Sequence, residues 1–399
     1  MKAIRAEFPI FDAQGSPFHY LDNAATSQLC APAAHALHAF ETTARANVKR
    51  GVHKLADAAT VAFDDARATM AAFVGAASPE EVIFTSGTTM SINMAARCLT
   101  PRLREGDEIL LSELEHHSDI VPWQMAAQAR GARVRAIPVT SDGRLDLEAL
   151  PDLVGPRTRI VAVTHLSNVS GAVSDLSVIR AAAPEAIMLV DGAQRAAHGP
   201  IDVRAIGCDL YALSSHKMFG PTGAGMLWGR MDLLESLPPF LGGGEMIREV
   251  RIDGTRYADP PHRFEAGTPP IGAVLGMAAA ARWLQSRDRR VLHDHEMRLT
   301  GRILDGLATL PGIRLVGPQG LQGRAGIVAF EVEDVHAHDV CQMLDGNGVA
   351  LRGGHHCAQP LMRALGLVAT ARASLAPYND DDDIDALIEG VGKVIERLR

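Results

Sequence analysis

Between residues 81 and 230, short apolar runs alternate with segments of helical periodicity, and no other feature restricts the fold of this chain as much. Residues 81–85 read as a strand, and Gly87-Thr88-Thr89 opens a helix that runs to Cys98. Residues 108–112 form the next strand and 120–129 the next helix, with further strands expected at 134–137, 159–163, 187–190 and 210–213. This alternation predicts an α/β fold with a mostly parallel sheet flanked by helices. In such sheets ligands bind beyond the carboxyl ends of the strands.

A chain of 399 residues is long for one core. We expect a large domain at 21–285 and a smaller α+β domain built from 1–20 and 286–399. The smaller one would hold strands at 326–330 and 349–351 and helices at 337–344 and 383–398. Residues 241–268, with Gly242-Gly243-Gly244 and Pro260-Pro261, read as an irregular insertion or lid. A net charge of −8 with 47% hydrophobic residues argues against nucleic-acid binding. No apolar run reaches membrane-spanning length. Glu7 and Pro9 stand where a signal peptide would be apolar, and five cysteines are scattered without metal-ligand or disulfide spacing. A cytoplasmic protein without a metal site is the expectation.

Two polar residues end adjacent apolar runs: Asp191, in Asp191-Gly192-Ala193-Gln194, and Lys217, in Ser214-Ser215-His216-Lys217. A lysine and a carboxylate at neighbouring strand ends are the pair that pyridoxal 5'-phosphate requires. The amine holds the aldehyde and the carboxylate keeps the pyridine nitrogen protonated. Gly87-Thr88-Thr89 at a helix start offers N–H groups and a hydroxyl to a phosphate. Cys357 follows Arg352-Gly353-Gly354-His355-His356. Those basic neighbours favour a thiolate, and the two glycines allow a tight or mobile backbone.

These motifs occur in order with Tyr20-Leu21-Asp22-Asn23-Ala24-Ala25, Glu115-His116-His117, Thr164-His165-Leu166-Ser167-Asn168-Val169 and Phe264-Glu265-Ala266-Gly267-Thr268-Pro269. Together they resemble the SUF-type (group II) cysteine desulfurases and selenocysteine lyases, class V aminotransferase-like enzymes of the fold-type I pyridoxal phosphate class. The resemblance implies Lys217, Cys357 and His116 as catalytic residues. It implies Asp191, Gln194, His116, Thr88, Thr89, Ser214, His216 and Lys217 around the cofactor, with Thr268 reaching in from the second subunit of a homodimer. Asn168, Arg372 and Arg352 would hold the substrate, a guanidinium fork suiting a carboxylate. Without the resemblance, Arg372 would read as a surface residue of an edge strand, and one of His116 and His117 as an ordinary packed or surface histidine. Met90 departs from the pattern, since relatives carry an acidic residue there.

The activity implied is conversion of L-cysteine to L-alanine, with a Cys357 persulfide passed to an acceptor protein for iron–sulfur cluster assembly. Selenocysteine, with its weaker C–Se bond, would be cleaved as well. His338 would suit a zinc-bearing acceptor, because an imidazole near Cys357 could take over the zinc ion. Its bland alternative is an exposed residue at a helix start. Two rival readings are a kynureninase-like or epimerase-like lyase on the same fold and a non-catalytic assembly scaffold. Cys357 argues against the first, and the full set of chemical residues against the second.

Overall fold

The computed structural model describes residues 2–14, 18–49 and 51–398. Met1 and residues 15–17, which fall in the 1–20 segment of the expected smaller domain, lie outside the described residues. A seven-stranded sheet runs in the order Val82–Thr85, Gly225–Gly229, Leu210–Ser214, Ile187–Asp191, Thr158–Thr164, Glu108–Ser112, Arg133–Ile137. The central strands are parallel and read as continuous apolar runs because both faces are covered. Gly225–Gly229, absent from the sequence expectation, is antiparallel to both of its neighbours.

Three helices unmarked by the sequence reading complete the packing: Ala31–Thr43, Lys54–Val74 and Arg289–Ala308. Lys54–Val74 buries Ala56, Ala59, Phe63, Ala66, Met70 and Val74, which share one face. It stops at Gly75, whose φ of 72° is the left-handed conformation of a helix C-cap.

The sheet's edge strand is covered by side chains. Arg67, on that helix, donates to Val82 O at 2.5 Å and makes a two-pronged contact of 2.7 and 2.8 Å with Glu265. Glu265 in turn accepts the Phe84 N–H at 2.8 Å. Backbone groups that would template another strand are thereby occupied. Burial alone would raise the Glu265 carboxyl, but Arg67 and its other partners hold it down to about 2.

A second, antiparallel sheet runs Ile313–Val316, Ile327–Val332, Thr370–Ser374, Arg352–Gly354, backed by Ala337–Asp345 and Asp381–Leu398. Asp381–Leu398 buries Ile384, Leu387, Val391, Val394 and Ile395, and its first turn holds three aspartates where the helix dipole favours anions. The N-terminal strand His19–Tyr20 pairs with Val349–Ala350.

One expectation is corrected here and another is narrowed. Part of the stretch expected to be irregular, 241–268, is an exposed antiparallel hairpin, Ile247–Arg251 with Gly254–Tyr257. Gly353 and Gly354 lie in a strand, and a Cβ at Gly353 would meet Ala337 O at 2.8 Å, so of the tight and mobile backbones expected there the tight one fits. Among the described residues no helix is long and apolar enough to cross a membrane.

Removing Arg67 leaves a buried carboxylate uncompensated. Arg67→Met is therefore expected to lose about 3–5 kcal/mol in chemical denaturation, and the Arg67→Met/Glu265→Gln double variant less. A single variant that unfolds at the parent's denaturant concentration would contradict this role.

Candidate active site

Asp191 and Lys217 meet because strand Ile187–Asp191 runs beside Leu210–Ser214 and the chain then makes one tight turn, Ser215–Lys217. Both side chains line a cavity of about 220 Å³ at the carboxyl ends of the strands. Burial pulls the Lys217 ammonium below its ordinary value; Asp191 and Cys357 oppose this, and Arg372 and Arg352 reinforce it. Burial raises the Asp191 carboxyl, against a 2.9 Å hydrogen bond from the Ala193 N–H and the charge of Lys217.

The helix Thr88–Leu99 points its N-terminus at the same cavity, with Thr88 and Thr89 on the wall. Its first N–H groups have no intrahelical partner. The Thr88 N–H and hydroxyl each lie 2.8 Å from Ser214 Oγ. Glycines make this approach possible: a Cβ on Gly225 would sit 2.4 Å from Gly87 Cα. His216 also lines the wall, its imidazole lowered to about 4 by burial and Lys217. Gln194 donates to Ala24 O at 2.8 Å.

His116 enters from the turn after strand Glu108–Ser112. Its Nδ1 accepts the Ser118 N–H at 3.1 Å, so the neutral ring carries its proton on Nε2. Burial first, then Lys217, His117 and the two arginines, lowers it to about 4. The same turn buries two carboxyls. Glu115 accepts the Thr164 N–H at 2.9 Å, and Asp119 accepts the Trp123 indole N–H at 2.8 Å. One oxygen of each, Glu115 Oε2 and Asp119 Oδ2, is buried without a hydrogen-bond partner. Burial raises Glu115 to about 8 and Asp119 well above its ordinary value.

The second sheet supplies the opposite wall. Arg372 stands in an interior strand, directly across from Arg352, and is 1% exposed. It is therefore not the surface residue of an edge strand. It donates to Asn168 O at 2.8 Å and to Asp22 Oδ1 at 3.1 Å, while its buried Nε has no acceptor. Two guanidiniums facing one carboxylate leave an excess positive charge suited to an anionic ligand. Asn168 also lines the cavity and donates to His356 O at 2.8 Å.

Cys357 sits at the rim, 4.0 Å from Arg352 Nη2. The basic environment expected from three neighbours narrows to fewer groups, because His356 is buried on Thr370 and burial lowers it to about 2, leaving it neutral. Thr268 lies apart from this cavity, lining a separate groove with Phe40, Glu41 and Asn47. Met90 is 38% exposed and does not line the cavity. Asp22, Ser118 and Thr164 received no role from the sequence; Asp22 and Thr164 left a signal, as parts of quoted motifs, and Ser118 none.

The donor set fits pyridoxal phosphate: an enclosed amine of lowered basicity, a buried carboxylate and an anion-favouring helix start face one cavity. Comparison with known proteins agrees. The model of the aminotransferase class-V family matches residues 19–387. A cysteine desulfurase of Dickeya dadantii is 45% identical over 397 residues, covering 98% of this chain and 96% of the relative. A crystal structure of a cysteine desulfurase from Escherichia coli superposes with a TM-score of 0.92 at 40% identity, over 100% of this chain and 98% of that one. The apo structure of a cysteine desulfurase from Thermococcus onnurineus gives 0.95 at 36% identity, over 99% and 98%. The chain belongs to the aminotransferase class-V family and, within it, to the cysteine desulfurases.

Proposed function

We propose that this enzyme converts L-cysteine to L-alanine and keeps the sulfur as a persulfide on Cys357. The observation that carries the reading is the cavity that Lys217, at the end of one sheet, shares with Arg352 and Arg372 of the other, with the Cys357 thiol 4.0 Å from Arg352. Pyridoxal phosphate supplies the electron sink that lets bonds at the substrate's α-carbon break. Lys217, Asp191, Gln194, Thr88, Thr89, Ser214 and His216 would hold it, and Thr268 would contribute from the second subunit of a homodimer.

Each remaining residue has a definable task. Lys217, with its lowered basicity, accepts and returns the α-proton. Arg372, with its free Nε, and Arg352 take the substrate carboxylate alongside Asn168. Neutral His116 presents Nε2–H over the cavity and can donate or relay that proton. Glu115 and Asp119 retain protons beside Asp191, so the negative charge rests on Asp191. Cys357 thiolate attacks the substrate sulfur: the S–S bond forms as the C–S bond breaks, and its electron pair is taken up by the carbon that becomes alanine's methyl group.

The same chemistry extends to selenocysteine. We read the chain as two units, 21–285 and 1–20 with 286–399, working in the cytoplasm and passing sulfur toward iron–sulfur cluster assembly. A zinc-bearing acceptor is favoured by His338, since a Cβ at Gly354 would lie 3.6 Å from its Nε2, placing the imidazole beside the Cys357 loop.

Two substitutions separate the halves of the reaction. Lys217→Ala should abolish alanine formation and the visible absorbance of the linked cofactor. Cys357→Ala should keep that absorbance and lose sulfur transfer. Full desulfuration by the Cys357 variant would overturn the assignment.

The acid pair gives a pH test. Glu115 holds its proton up to about 8 when folded but releases it near the ordinary 4.5 when unfolded, so its contribution to stability is present at low pH and lost as pH rises through about 8. Glu115→Gln does not titrate. Its melting temperature relative to the parent should therefore climb between pH 4.5 and 8; a constant difference would show that Glu115 ionises normally.

A further inference from the structure

Cys357 occupies an unusual backbone. His356 and Cys357 have φ values of 52° and 57°, and the Ala358 N–H returns to His355 O at 2.9 Å. This is the pattern of a type I′ turn, which ordinarily selects glycine or asparagine at both central positions. Here it holds a histidine and a cysteine. Two side-chain-bearing residues in the left-handed region persist only where the surroundings over-determine them. The restraints can be traced. Asn168 binds His356 O, and the His356 ring is pinned to Thr370 Oγ1 at 2.9 Å. Cys357 and the start of the helix Gln359–Ala364 are both held by one residue, His117.

His117 reaches the loop twice. Its own N–H donates to Cys357 O at 2.8 Å, and its Nε2 accepts the Gln359 N–H at 3.2 Å. The chain on either side of Ala358, at the Cys357 carbonyl and the Gln359 N–H, is thus tied to a single residue of the large sheet's 115–119 turn. Burial and the neighbouring His355 lower His117, which keeps its ring neutral and its Nε2 able to accept.

We infer that His117 is a positioning residue for sulfur transfer, bracketing the chain just past Cys357 through its main-chain N–H and its imidazole and so holding the thiol at the rim of the Lys217 cavity. The inference rests on Cys357 being the sulfur-attacking residue. Its physical consequence is local. The main-chain half of the bracket survives any substitution at 117, whereas the imidazole half is lost when the acceptor is removed.

The test is hydrogen–deuterium exchange of the holoenzyme, read at the Gln359 amide, together with steady-state alanine formation. His117→Ala, and His117→Phe as a ring that fills the space without an acceptor, should speed Gln359 exchange about tenfold, the loss that one net hydrogen bond implies. Amides of the strands ending at Asp191 and Ser214 should be unchanged. Both variants should lower kcat with little change in KM for cysteine. His117→Gln, which restores an acceptor oxygen, should recover most of both effects. Parent-like Gln359 exchange in the Ala and Phe variants would overturn the bracket, and faster exchange with parent-like kcat would overturn its link to the chemistry. The exchange arm is independent of the role of Cys357, so failure of the bracket and failure of the desulfurase assignment remain distinguishable.

Discussion

Arg372 is the interaction on which the two sheets and the cavity between them depend. A fully buried guanidinium is costly unless its charge and donors are matched. It ties the strand Thr370–Ser374 that carries it to two distant parts of the chain, Asp22 after the N-terminal strand and the Asn168 carbonyl on the large sheet's side. Burial lowers it only to about 10, so it remains charged at neutral pH. The group that binds the sheets together is therefore also a fixed positive charge in the cavity. Its unfilled Nε leaves one donor for a ligand.

Burial also sorts the protons around the cofactor position. The same desolvation that pushes His116, His216 and His356 toward neutrality lowers Lys217 and raises Asp191, Glu115 and Asp119. Charge is thus disfavoured in the cavity, and partners oppose the shift at two groups: Asp22 supports the charge of Arg372, and Lys217 with the Ala193 N–H that of Asp191. Low polarity strengthens each remaining electrostatic contact. A proton leaving a substrate there would meet an amine that is not already saturated.

Much of the site was legible from the sequence because its residues end continuous apolar strands. Asp191 closes one such run and Lys217 follows another, so their meeting required only the parallel order of the sheet. Gly225–Gly229 was missed because three residues between two glycines resemble a turn as much as a strand. Lys54–Val74 was missed because its buried face is largely alanine, which gives weak contrast with its exposed face. The hairpin at 247–257 has no buried alternation to read. Cys357 was singled out in the sequence, but its turn was not: glycine marks left-handed positions in sequence, and here His356 and Cys357, which follow the glycines, take that conformation. His117 left no signal, because an acceptor for a backbone N–H across 242 residues of sequence has no local pattern.

The central claim is that one cavity joins the amine chemistry of Lys217 to the thiol of Cys357. Peptide mass spectrometry of the holoenzyme, taken after brief exposure to L-cysteine without an acceptor, tests it most directly. The account predicts one additional sulfur atom on the peptide containing Cys357, formed in step with alanine, and none on Cys30, Cys98, Cys208 or Cys341. Alanine release with the extra sulfur on another cysteine, or on none, would contradict it.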